Sequence, residues 1–193
     1  MAKKKLQFRP DRTESSIWSK LYITRLQRRN LAKWLAYSGL SVAVLVIQDV
    51  ILSRFTLLQG TVDITPMLLL LICVLEGAEI GGTFLLWGSV FYYFSGSAPG
   101  SYCIVLLTCL GMAAAMFRQS YLQRGFAAHW LCSIGAGFLY QIAVFCMGLF
   151  LTHTHPGRIL AFLMNGLLGA AALPLLYPCL TAIGKIGGTP WKE

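Results

Sequence analysis

The chain has 193 residues, 56% of them hydrophobic and 12% charged, with a mean hydropathy of +0.66 and a formal net charge of +9. That charged fraction is about half of what a soluble domain carries, and a soluble domain of this size leaves too much surface in water to hide so much apolar side chain. The composition excludes a soluble enzyme. It also excludes nucleic-acid binding, because ten of the sixteen Lys and Arg lie in the first 33 residues and do not form a folded basic face.

Residues 1–33 form a basic cytoplasmic tail. Within SSIWSKLYITRLQRRNLAKWL, residues 15–35, the apolar Ile17, Trp18, Leu21, Tyr22 and Leu26 recur at helical spacing, with Lys20, Arg25, Arg28 and Arg29 mostly between them. This pattern predicts a juxtamembrane amphipathic helix on the inner leaflet. Trp18, Lys20, Arg25, Arg28 and Arg29 are its candidate membrane-surface residues. A topology anchor, a lipid-binding surface and a partner-docking segment are all compatible with it. The first apolar run begins near residue 34, behind a tail too long for a secretory n-region, so it reads as a retained transmembrane helix.

A spanning helix takes about 20 apolar residues. The first predicted span is Trp34 to Leu52, with Gln48 and Asp49 near its end. The second is short, Ile64 to Leu75, opened by Pro66. The third, Ile80 to Phe94, follows after Glu76-Gly77-Ala78-Glu79, so the two form a tight hairpin or one long broken helix. The fourth is Tyr102 to Phe117, the fifth Phe126 to Leu151 and the sixth Ile159 to Ile183, where Pro174 and Pro178 predict a kink. Residues 34–185 thus read as an all-α, six-span transmembrane bundle, followed by a cytoplasmic tail, 186–193. Five spans are the nearest alternative. With both termini inside, fourteen basic residues are cytoplasmic and two, Arg54 and Arg158, are outside, which favours this orientation and an even count.

Ionisable groups in spans are costly and default to functional candidates. Asp49 either reaches the outer interface or pairs with Arg54. Glu76 and Glu79 bracket the turn, as a carboxylate pair or as solvated residues near the basic tail or Arg118. His129 reads as interfacial. His153 and His155 form an HxH pair without an evident third metal ligand. The six cysteines lie in or beside apolar runs, with no CxxC, and read as packing residues. No GxSxG, HExxH or P-loop is present. The expectation is a non-enzymatic protein with no cofactor and no metal. Glycine and alanine recur in the third to sixth spans, Gly81 and Gly88 among them, and suit close helix packing.

The stretch TPMLLLLICVLEGAEIGGTFLLWGSVFYYFSGSAPG, Thr65 to Gly100, resembles the rod shape-determining MreD family. The shared features are a Pro opening an apolar run, a Gly-bearing span and the turn Ser95, Gly96, Ser97, Pro99. The loop Arg118 to Gly125, the last-span Asn165, Gly166 and Pro174, and Gln48 also look similar. One departure is clear: the family's third span carries an acidic residue where this chain reads Phe91-Tyr92-Tyr93-Phe94, and Tyr92 offers a hydroxyl there. The resemblance implies a fold like that of energy-coupling-factor substrate-capture subunits. It further implies a multi-pass protein of the bacterial cytoplasmic membrane that serves cell shape and peptidoglycan synthesis within the rod complex, or elongasome. Its implied partners are MreC, the MreB filament and the elongation peptidoglycan synthases. Gln48, Asp49, Glu76, Glu79, Gly81, Gly88, Tyr92, Arg118 and Arg124 are the candidate partner-binding residues. The alternative is a substrate-capture subunit of a vitamin transporter, with an outer pocket built near Arg54, Asp63, Tyr102, His153, His155 and Arg158.

Overall fold

A computed structural model describes residues 25–54, 56–57, 60–122, 125–151 and 154–186. Among the described residues the chain is mainly helical, with six α-helices: α1 Arg25–Val50, α2 Thr65–Glu76, α3 Ala78–Phe94, α4 Tyr102–Tyr121, α5 Phe126–Leu151 and α6 Ile159–Ile186. Four of them, α1, α4, α5 and α6, are long and apolar enough to cross a membrane. Short 3-10 turns, Leu52–Arg54 and Pro156–Arg158, and a minimal antiparallel pair, Thr56–Leu57 with Gly60–Thr61, decorate one end.

Successive helices run antiparallel. Lys33 of α1 meets Glu76 of α2, whereas Gln48 at the other end of α1 meets Thr65. A Cβ added at Gly81 of α3 would fall 2.7 Å from the Cys73 carbonyl oxygen, and one at Gly88 would meet the Leu69 side chain. α2 and α3 therefore form the hairpin, and the broken-helix alternative is excluded. The turn is tighter than the sequence suggested. Only Gly77 lies outside both helices, at φ 96°, a conformation costly for any residue with a Cβ.

Helix α2 is the centre of the fold. Eleven of its twelve residues, Thr65 to Leu75, are buried, and it touches each of the other five helices. An apolar run without a polar face suits a helix surrounded by protein on all sides. Two buried clusters meet along it. One joins Leu69, Leu70 and Cys73 to Leu85, Leu107 and Tyr140; the other joins Met67, Leu68, Leu71 and Ile72 to Tyr37, Leu173 and Leu180. The outer surface carries large apolar side chains instead, Trp87, Phe94, Phe150 and Leu175 among the most exposed. Apolar groups outside and polar groups inside suit a hydrocarbon solvent.

Helix α1 differs from expectation at its start. Residues from Arg25 to Lys33 continue the same helix as the first span, because no Pro or Gly interrupts them. Trp18 and Lys20 lie outside the described residues, as does the rest of the tail before Arg25. Pro174 and Pro178 sit inside the continuous α6. All six cysteines are free thiols.

Candidate functional site

Polar side chains gather at the two ends of the bundle. At one end, the C-terminus of α2 brings Glu76 beside Lys33 and Tyr37 of α1. Glu76 Oε2 forms an ion pair with Lys33, and Tyr37 Oη donates to Oε1 at 2.7 Å. The Lys33 and Glu76 side chains are each only 8% exposed. Lys33 Nζ also lies 5.7 Å from the Trp34 ring centroid, within cation–π range. The solvated reading of Glu76 is thus corrected: it is in a buried ion pair, and Glu79, its supposed partner carboxylate, is exposed in the first turn of the next helix.

Arg118 of α4 is buried at this same end, against His129 of α5. Its Nη1 lies 2.8 Å from His129 Nε2, and His129 Nδ1 lies 2.6 Å from the Gly125 carbonyl. Guanidinium can only donate, so Nε2 accepts and Nδ1 carries the proton. His129 is therefore neutral, and it is covered by the bundle in the first turn of α5. A cavity of about 370 Å3 opens between these groups, lined by Tyr37, Glu76, His129, Tyr177, Gly184 and Lys185.

The opposite end is built around the start of α2. The first amides of a helix have no internal acceptor. Pro66 removes one donor, and Gln48 Oε1 accepts from Ile64 N, Thr65 N and Thr65 Oγ1 at 3.0, 2.8 and 2.6 Å. Gln48 thus caps a helix it does not belong to. Beside it, Asp63 accepts from Tyr92 Oη and Asp49 from Ser97 Oγ. Burial pushes the Asp63 carboxyl up to about 6, against the opposing pull of hydrogen bonds from Tyr92 and Gln48. Asp49 is not paired with Arg54; among the described residues the one salt bridge is Lys33–Glu76.

The nine candidate partner-binding positions therefore divide. Gln48, Asp49, Glu76, Tyr92 and Arg118 have partners inside the chain. Gly81 abuts the backbone of α2. Glu79 faces outward, and Gly88 lines a groove of about 390 Å3 between α1 and α3 together with Ser38, Ser41, Leu45, Trp87 and Phe91. Arg124 lies outside the described residues, as does His153. On α1, Arg28 and Arg29 are exposed. Lys33 was missed as a site residue. Lys33 was counted with the tail, and no spacing signal links it to a carboxylate 43 positions away. Comparison with known families, curated proteins and solved structures yields no match to this chain.

Proposed function

We propose that the chain is a non-catalytic, six-span scaffold subunit of the bacterial cytoplasmic membrane, with both termini inside. In this reading it belongs with the MreD-type proteins of the cell-wall elongation complex, binds MreC and helps couple MreB filaments to peptidoglycan synthases. The observation that carries the reading is the stretch Thr65 to Gly100. Its proline, glycines and Ser-Gly-Ser-Ala-Pro turn make up the α2–α3 hairpin at the centre of the bundle. The Lys33–Glu76 and Arg118–His129 contacts tie helices to one another, which supports a scaffold role.

The α1–α3 groove also supports a helical membrane partner. It is largely apolar, it is opened by the small residues Ser38, Ser41 and Gly88, and the Ser41 hydroxyl is buried there without a hydrogen-bond partner. Small residues admit a close helix, and a serine can bond across to it. In this reading the groove is where MreC docks.

The test is co-purification of the tagged chain from its host. Recovery of MreC or the elongation synthases is expected, and Ser38→Leu, which fills the groove from the exposed side of α1, should reduce recovery at unchanged expression. Recovery of ATPase and transmembrane coupling subunits in their place would establish the transporter reading.

A further inference from the structure

The Gln48–Asp63 end holds a second cavity, of about 200 Å3, lined by Asp63, Ser97, Tyr140, Gln141, Phe162 and Asn165 among others. Three polar atoms of that lining are buried and under-satisfied: Asn165 Oδ1 and Asp63 Oδ1 have no partner of good geometry, the bond from Tyr92 falling on the other carboxylate oxygen, and Tyr140 Oη has only the Cys103 thiol beside it. Tyr140 is only 2% exposed. Buried polar groups are almost always paired, because leaving one unpaired is costly. Three around one cavity point to an occupant.

The chemistry of the lining selects it. Asp63 Oδ1 and Asn165 Oδ1 only accept, and a tyrosine hydroxyl can accept as well. Asp49 and Asp63 place two carboxylates in this network, and among the described residues neither has a basic side chain within ion-pair distance. The occupant must therefore donate several hydrogen bonds and carry positive charge. The rest of the wall includes Pro99, Val144 and Phe162, which suit a short hydrocarbon. A water takes about 30 Å3 of liquid, so the space exceeds that of one water or one bare ion.

We propose that this cavity binds a small organic cation with a primary ammonium group. The ammonium donates to Asp63 Oδ1, Asn165 Oδ1 and Tyr140 Oη, and its short apolar part lies against Val144 and Phe162. This goes beyond the scaffold role and does not depend on it. The experiment is calorimetric titration of the full chain in detergent with n-butylammonium, n-butanol and NaCl, at matched ionic strength. Saturable binding of n-butylammonium alone is expected. Asp63→Asn should weaken it about tenfold or more, and Tyr140→Phe, which keeps the ring, should weaken it less. If Asp63→Asn does not fold, Tyr140→Phe and Asn165→Ala carry the test. Absence of saturable n-butylammonium binding, an equal response to n-butanol or to NaCl, or affinity unchanged in the folded variants would overturn the proposal.

Discussion

At the residue scale, the most consequential side chain is Glu76. A carboxylate this deeply covered is stable only while its charge is matched, and Lys33 with Tyr37 matches it. Breaking such a pair from one side strands a charge, at a cost of about 3–5 kcal/mol, whereas replacing both partners by apolar groups is far milder. Lys33→Met alone should therefore destabilise by about 3 kcal/mol in chemical unfolding, and Lys33→Met with Glu76→Leu by much less. Additive losses would show that the two residues are uncoupled. Asp63 makes the opposite demand. Its folded carboxyl titrates near 6, above the usual 3.8, so the folded state holds the proton more tightly than the unfolded state. Stability from this group is thus present in full below about pH 4 and is lost as pH rises through 6. The thermal midpoint in detergent should fall between pH 5 and pH 7.5, and Asp63→Asn should flatten that slope. Neither environment was legible in the sequence. Glu76 sits in a run that reads as a solvated turn, and its cation is 43 residues upstream; a buried pair of that separation leaves no local pattern.

At the element scale, α2 explains most of what the fold requires. Twelve residues make a helix of about 18 Å, too short to cross a bilayer core of about 30 Å unaided. It is sustained because neighbouring chain covers every side and because its first amides are capped by Gln48. The close approach of α3 is equally specific. At Gly81 the obstacle to a side chain is the Cys73 backbone, which cannot swing aside as a side-chain terminus can. Gly81→Val should therefore cost about 3 kcal/mol or more in unfolding free energy, at the upper end of overpacking effects. Gly135→Ala, with nothing within 4 Å, should be neutral or stabilising by up to about 1 kcal/mol. Equal effects of the two would mean that α2 and α3 do not pack this closely. The element boundaries were largely readable: α5 spans Phe126–Leu151 as the apolar run predicts, and α4 and α6 begin at Tyr102 and Ile159 as expected. Hydrophobic runs mark where helices can lie. They do not say which helix is central, because the Leu-rich run of α2 looks alike whether lipid or protein surrounds it. The start of α1 was misplaced for a related reason, since charge ends a predicted span but does not end a helix.

At the scale of the whole molecule, the charge distribution and the helix directions make one argument about topology. The alternating bundle puts Lys33, Arg118 and Lys185 at the end that holds Glu76 and His129, where Arg28 and Arg29 on the first turns of α1 also lie. Arg54 and Arg158 occupy 3-10 turns at the opposite end. Cytoplasmic loops concentrate Lys and Arg, so the first end should face inward. The parity of the crossings rests on the Gly77 hairpin. Because α2 and α3 return antiparallel, the segment from Ile64 to Ser95 goes through the bundle and back, and does not pass through it once. Single cysteines in a variant lacking the native six would decide this. Arg28→Cys and Lys185→Cys should react with a membrane-impermeant maleimide only after permeabilisation, and His155→Cys should react in intact cells. Five crossings would put positions 28 and 155 on the same side, and that labelling pattern would refute the six-span arrangement. The three sites flank the hairpin and α6 separately, so an error in either element would appear at a different position.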